Sequence, residues 1–442
     1  MISFSEDELR VFKLVKEYAQ TLNPIVTPRL AGGFVRDRIM GISSHDIDIT
    51  LDHISGYNFA LGLCATLETS SNVHKIQANP EKSKHLEAAV VNICGFSIDF
   101  VHLRSEFYSN SRIPEINVGT PEEDAFRRDI TINSLFYNLL TDEVEDFTGR
   151  GIEDIKNKVI DTPLNPEITL FDDPLRILRI FRFRSKFLFD VSERITKALR
   201  IQKIKDALET KVSKERIGNE IFRMLEYEHG YLGILEIVDH DYVKQIFNPR
   251  AGAFIDKSKA RDFHTEYVKV KDSIVKLNES ITFREEILLL YIVLQFFINL
   301  KIPAGKKEEY VNFIILRESF KSNNSRCLAV KKIEETIQFM KSCEVLRPIE
   351  VVLEGKENWL EAAVIFYIHS KNAKYFELIK DVIAGKYEKA YLVKPVVDGD
   401  FLIENKVSIT DFKKVLKKCQ IIQIENPKLT KKEIFDRATG HC

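Results

Sequence analysis

The sequence predicts an α+β head, a mixed sheet with helices, followed by an all-α remainder. Three observations predict this. Ile47-Asp48-Ile49-Thr50-Leu51 and Phe96-Ser97-Ile98-Asp99-Phe100 alternate apolar and polar residues, the period of half-buried strands. After about Asp142 that alternation fades and helical periodicity takes over, over Pro174–Phe187, Val191–Leu208 and Lys214–Leu225. The later stretches break near Asn248-Pro249, Lys301-Ile302-Pro303 and Asn426-Pro427, as helices do at proline.

The elements follow in order. Residues 8–21 read as a helix with Leu9, Phe12, Val15 and Tyr18 on its apolar face. Leu30 to Asn138 is dominated by strand patterns. The most apolar later segment, Ile287–Leu300, is interrupted by Gln295 and Asn299. It is shorter than the roughly 20 residues a membrane span needs, so it reads as a buried helix, and no membrane partner is expected. There is no internal repeat and no low-complexity tract. A hydrophobic share of 44% with 30% charged residues gives a globular chain long enough for several domains.

A net charge of −1 offers no overall attraction to nucleic acid, so any basic surface must be local. Lys413, Lys414, Lys417 and Lys418 form one such cluster, either a solvated helix face or an RNA contact. The six cysteines form no C-x-x-C pair and show no zinc spacing with histidine, which suits reduced thiols in the cytosol or nucleus. Met1–Glu8 is acidic and lacks an apolar core or an Arg-rich character. The expectation is therefore cytoplasm or nucleus, without support for mitochondrial import.

Asp46 and Asp48 lie two apart, and residues two apart in a strand share a face. Two converging carboxylates suit a hard divalent cation. Gly32-Gly33, ahead of a short helix, lets phosphate approach the backbone. Asp99 joins the two acids if its strand neighbours theirs. Arg127-Arg128-Asp129 offers forks for phosphate and an acceptor for a ribose hydroxyl, or else an exposed charged turn. Asp173 and Arg176, three apart, read either as a cap with a surface charge or as an acceptor beside a donor on one helix face. Such a pair matches the amino group and adjacent ring nitrogen of cytosine or adenine and opposes uracil and guanine.

In this order the pieces resemble the class II CCA-adding tRNA nucleotidyltransferases, eukaryotic type, of the polymerase-β-like superfamily. The first motif matches Leu30–Asp37 with Asp46-Ile47-Asp48. The second matches Arg127-Arg128-Asp129 with Ile130–Leu135, and the third Asp146–Arg150 with Asp154. The template motif matches Asp172-Asp173-Pro174-Leu175-Arg176, and the fifth Ser213–Glu220. Residues 226–393 match only in being helical, and residues from Lys394 onward resemble the eukaryotic tail weakly. Asp172 stands where bacterial members have glutamate.

The resemblance implies a head over 1–140, a neck over 141–240, a body over 241–393 and a tail over 394–442. It implies two magnesium ions on Asp46 and Asp48, with Asp99 as a further catalytic acid. It places Gly32, Gly33, Arg36, Asp37, Arg127, Arg128, Asp129, Asn133, Asp173, Arg176 and Arg179 at the nucleotide. Asp146, Gly149 and Arg150 would serve as a hinge, and Glu215, Arg216 and Glu220 as braces. The substrates would be CTP, ATP and a tRNA 3′ end, with no obligate protein partner. Residues between Arg104 and Asp124 resemble a flexible loop in which Tyr108, Arg112 and Pro114 have no assignable role. No phosphohydrolase signature is visible. The rivals are a poly(A) polymerase or a partial CC- or A-adding enzyme of the same superfamily, and a catalytically silent RNA-binding protein. The lack of a basic strand signature ahead of Gly32 disfavours the poly(A) reading.

Overall fold

The computed structural model describes residues 2–44, 46–67, 73–76, 88–107, 115–247, 257–281, 284, 287, 290, 294, 301–304 and 307–440. Met1–Ile246 and Phe247–Cys442 form two compact units.

The first unit opens with α1 (Glu6–Thr21), started by a capping box between Ser5 and Glu8. Its buried stripe is Val11, Phe12, Val15 and Ala19. Phe12 and Val15 are buried as expected, whereas Leu9 is 52% exposed and Val11 and Ala19 complete the stripe. A seven-stranded sheet follows in the order β3-β4-β5-β2-β1-β8-β9. Its strands are β1 (Arg29–Ala31), β2 (Ile47–Leu51), β3 (His74–Ile76), β4 (Ala88–Ile93), β5 (Phe96–His102), β8 (Phe136–Asn138) and β9 (Glu143–Glu145). Within this sheet, among the described residues, only β2 and β5 pair in parallel. Ile47, Ile49, Leu51, Ile98 and Phe100 are fully or nearly buried, each contributing roughly 2 kcal/mol of apolar burial. On β2 this leaves Asp48 exposed, while Thr50 is covered.

Three short helices flank this sheet: α2 (Gly33–Ile39), α3 (Gly56–Thr66) and α4 (Pro121–Phe126). β6 (Arg104–Phe107) and β7 (Glu115–Val118) pair antiparallel. The expected loop from Arg104 to Asp124 is thus a strand pair and a helix, while Tyr108, Arg112 and Pro114 lie outside the described residues. The rest of the unit comprises α5 (Gly151–Asn157), α6 (Pro166–Asp172), α7 (Leu175–Phe187), α8 (Glu193–Ala198), α9 (Gln202–Lys211), α10 (Lys214–Leu225) and α11 (Gly230–Asp239). α7 packs against α10 and α11. One expected helix, Val191–Leu208, is split into α8 and α9. A two-stranded parallel sheet also appears, β10 (Val159–Ile160) with β11 (Asp190–Val191), where only helices were expected.

In the second unit the helix Trp359–Ser370 is buried on nearly every side, which makes it a central core helix. Lys301–Ala304 and Lys307–Tyr310 pair antiparallel, so the expected helix break at Pro303 is a strand. Of Ile287–Leu300, only Ile287, Leu290 and Leu294 are described, and all three are buried. The break at Asn248-Pro249 lies outside the described residues. Val397, Leu402, Cys419, Ile434 and Phe435 form a small core of their own near the C-terminus. Lys413, Lys414 and Lys418 are exposed, whereas Lys417 lies 4.3 Å over the Phe339 ring. No described helix is long and apolar enough to cross a membrane.

Candidate active site

Asp48 sits in register with Asp99 across the parallel β2/β5 ladder. Asp46 lies just ahead of β2 and is exposed. The Asp48 side chain reaches solvent yet is crowded by protein on its other sides. That desolvation, with the negative charges of Asp99 and Asp46, pushes its carboxyl up to about 6 against the pull of Arg128. Among the described residues, no three His, Cys, Asp or Glu side chains gather closely enough to form a metal shell. Asp48 and Asp99 lie side by side on adjacent strands, and Asp46 stands just ahead of the first. The donor set fits a hard divalent cation: carboxylate oxygens only, where negative charge already accumulates.

Beside these acids lies the glycine turn. Gly32 precedes α2 with φ +64°, a left-handed conformation that favours glycine. A Cβ there would lie 2.6 Å from Arg128 Nη1, so the position also needs a bare backbone. At Gly33 the nearest group would be 3.5 Å away, an ordinary contact, so only Gly32 is demanded by the local packing. Arg128 Nη1 donates to the Asn133 carbonyl at 3.0 Å, and its guanidinium stands 4.9 Å from the Phe136 ring centroid. Arg127 Nη1 donates to Glu106 at 3.1 Å. Both arginines also bind Asp124, which is fully buried.

Arg36, Asp37, Asn133, Asp129 and Arg179, all expected at the nucleotide, are engaged with protein groups in this structure. Arg36 is buried, 2.7 Å from Asp37, hydrogen-bonded to Asn133 and 4.5 Å from the Phe187 ring centroid. Asp37 also faces Lys186 at 3.8 Å. Asp129 accepts from the Ile130 amide and Asn133 on one oxygen, and from Arg179 at 2.7 Å on the other. Burial alone would push its carboxyl up; Arg179 and the hydrogen bonds overcome that and hold it far below the usual range. Its lone pairs are filled by protein donors, so a ribose hydroxyl would have to displace one.

The base-reading pair is arranged differently from the expectation. Pro174 ends α6 and starts α7, so Asp173 falls between the helices rather than on one face with Arg176. Asp173 accepts from the Leu175 amide at 3.3 Å and lies 3.7 Å from Arg216. Arg176 is buried and donates to the carbonyls of Arg127 and Arg128 and to the Thr169 hydroxyl. Among the described residues three of its five N–H groups are used. A cavity of about 290 Å³ opens there, lined by Arg176, Asp172, Thr169, Arg127, Glu106 and Phe126 among others. Asp172, not Asp173, is the acid beside Arg176 at this cavity. Burial pushes its carboxyl up, against Lys211 and Arg176.

The remaining residues form a frame. Arg179 links Asp129 to Glu220 at 3.7 Å, and Glu220 receives Arg182 at 2.7 Å. Arg216 reaches Asp173, but Glu215 is exposed and makes no side-chain bond among the described residues. Asp146 holds the turn at Gly149 by accepting from Thr148 and the Ile152 amide. Arg150 binds Asp161 at 2.7 Å and the carbonyls of Thr162 and Pro163. Sequence reasoning missed Asp124, Asp161 and Thr169. Asp124 left a signal, three and four residues before Arg127 and Arg128 on a helix. Asp161 and Thr169 left none.

Residues 28–161 match the family described as the poly A polymerase head domain. The chain is 37% identical over 387 residues to the mitochondrial CCA tRNA nucleotidyltransferase of Candida glabrata, covering 76% of this chain and 72% of that one. It is 31% identical to tRNA nucleotidyltransferase cca2 of Schizosaccharomyces pombe, covering 91% of each. A solved CCA-adding enzyme in its apo form shares the fold with a TM-score of 0.72 at 22% identity, covering 99% of this chain and 97% of that one. Solved structures with the same fold include complexes with CTP, ATP and tRNA. The expected location in cytoplasm or nucleus, without mitochondrial import, is contradicted by the relatives: those from Candida glabrata and Saccharomyces cerevisiae are mitochondrial enzymes. An acidic start carried no weight against that. On sequence similarity across most of both chains, and on fold, this chain belongs to the CCA tRNA nucleotidyltransferase family.

Proposed function

We propose that this chain adds C, C and A to the tRNA 3′ end from CTP and ATP, without a nucleic-acid template, releasing pyrophosphate. The observation that carries the reading is the register of Asp48 with Asp99, next to Asp46 and the Gly32 turn. Enzymes of this family use divalent metals. We assign two magnesium ions to Asp46 and Asp48, where they would supply activation of the attacking hydroxyl and neutralise the leaving group. Gly32 lets the phosphates approach the backbone, and Arg127 and Arg128, with their Nε/Nη2 edges on Asp124, offer positive charge and their Nη1 groups to them. Arg176 and an acid beside it select C and A over U and G. Asp172 lines the cavity, so it is a candidate for that acid alongside Asp173. Arg179 holds Asp129, and releasing it would free an acceptor for the sugar. We keep the division into head 1–140, neck 141–240, body 241–393 and tail 394–442 as part of this reading, with Asp146, Gly149 and Arg150 as the hinge.

The test is product length. A tRNA lacking its 3′ CCA, incubated with labelled CTP and ATP and magnesium, is expected to gain three nucleotides. A long A ladder would instead favour a poly(A) polymerase, the reading suggested by the match of residues 28–161 to that head domain. Addition of only C or only A would identify a partial enzyme.

The acidity of Asp48 adds a second expectation. Its carboxyl is pushed up to about 6, so it is ionised at pH 7.5 and protonated at pH 5. A cation must displace that proton below pH 6. The magnesium concentration giving half-maximal activity should therefore rise about tenfold per pH unit below 6. Magnesium titrations at pH 5, 6 and 7.5 check this, and a flat midpoint would remove the assignment of Asp48.

A further inference from the structure

We infer that Asp124 is a positioning residue that fixes the spacing and direction of the two guanidinium groups offered to the nucleotide phosphates. Asp124 lies on α4, three and four residues before Arg127 and Arg128. It plays no part in capping that helix: Thr120 and Glu123 form the capping box. Its carboxylate is 0% exposed, a costly place for a charge unless fully paired.

Each oxygen serves a different arginine. Oδ1 accepts from Arg127 Nε at 2.9 Å and Nη2 at 2.6 Å, and from the Arg104 amide at 3.2 Å. Oδ2 accepts from Arg128 Nε at 3.0 Å and Nη2 at 2.8 Å. One anion thus holds two adjacent cations that would otherwise repel, and leaves each Nη1 edge pointing elsewhere. Arg128 Nη1 lies against Gly32, and its guanidinium is close enough to draw Asp48 down. Arg127 Nη1 lies on Glu106 beside the cavity. The backbone that Asp124 steadies is the one whose carbonyls hold Arg176. Phosphate seat and base reader are built on one short segment, and Asp124 is its anchor.

This inference rests on the reading that Arg127 and Arg128 meet the phosphates. The experiment measures equilibrium binding of CTP and of ATP, with magnesium and without tRNA, to the full-length protein. Asp124→Asn keeps the shape but loses the charge and one acceptor. It is expected to bind both nucleotides about ten- to thirtyfold more weakly, with an unchanged CTP-to-ATP ratio, unchanged tRNA affinity and a folded circular dichroism spectrum. In an Arg128→Ala background the same change is expected to have a smaller effect, because the two residues act together. A folded Asp124→Asn protein with wild-type nucleotide affinity overturns the inference, as does full additivity in the double variant. If Arg128→Ala alone leaves CTP binding unchanged, the phosphate reading itself falls. Where Asp124→Asn does not fold, Asp124→Glu retains the charge but moves the carboxylate by one methylene. It is expected to weaken CTP binding several-fold, and wild-type affinity there overturns the inference equally.

Discussion

Asp48→Asn is expected to lose turnover by on the order of 10³-fold or more, while raising the melting temperature of the metal-free protein at pH 7.5. The first effect follows from the assigned metal site: an amide neither carries the charge nor ligates a hard cation as a carboxylate does. The second follows from the crowding around this carboxyl. Its ordinary value is 3.8, and in the fold it is pushed up to about 6 by desolvation and by Asp99 and Asp46. A group that holds its proton more tightly when folded favours the fold most below its unfolded value, and that favour is lost as pH rises through the folded value. At pH 7.5 the ionised acid therefore works against the fold, and asparagine removes that opposition. The stability gain should shrink toward pH 5, where the wild-type group is protonated. Paired thermal melts and turnover assays at both pH values check this. A variant that is inactive and also less stable at pH 7.5 would point to a structural rather than a metal-binding acid.

Arg176→Ala is expected to reduce discrimination against UTP and GTP by about ten- to hundredfold and to destabilise the protein by about 1–3 kcal/mol. From the sequence alone, base choice should change more than triphosphate binding. The structure adds the second effect, because this side chain holds the Arg127 and Arg128 carbonyls and the Thr169 hydroxyl. Removing it leaves buried acceptors without donors and loosens the segment that carries the phosphate-facing arginines. Triphosphate affinity should therefore fall as well. Misincorporation with each single nucleotide, measured beside CTP binding and denaturant unfolding, separates the effects. Unchanged preference for CTP and ATP in the folded variant would end the base-reading role.

Much of the head was legible because its chemistry is local. The alternation at Ile47–Leu51 placed Asp48 on the open face, and the strand ends where the pattern does. Lys214–Leu225 was equally plain, since its apolar residues recur at helical spacing after Ser213. The reading failed where a backbone constraint outranked periodicity. Asp173 precedes a proline, which disfavours helical geometry there; its φ of −123° and ψ of 88° break the helix ahead of Arg176. It failed again where the partner is distant in sequence. Asp161 meets Arg150 and Arg194, and β10 meets β11, through pairings that no short window contains. Buried arginines were a third place where the sequence was silent: nothing local announced that Arg36, expected at the phosphates, also packs among Asp37, Asn133 and Phe187.

The parallel ladder between β2 and β5 has a consequence for how the enzyme fails. The same ladder that sets Asp48 beside Asp99 also seats Ile47, Ile49, Ile98 and Phe100 in the interior. Threading either strand one position out would eject its two apolar side chains, Ile47 and Ile49 or Ile98 and Phe100, into water and bury its acid in their place. A mis-threaded head is thus too unstable to persist as a well-formed but dead enzyme. Molecules that survive quality control should carry an intact acid pair, so specific activity across preparations should track the folded fraction.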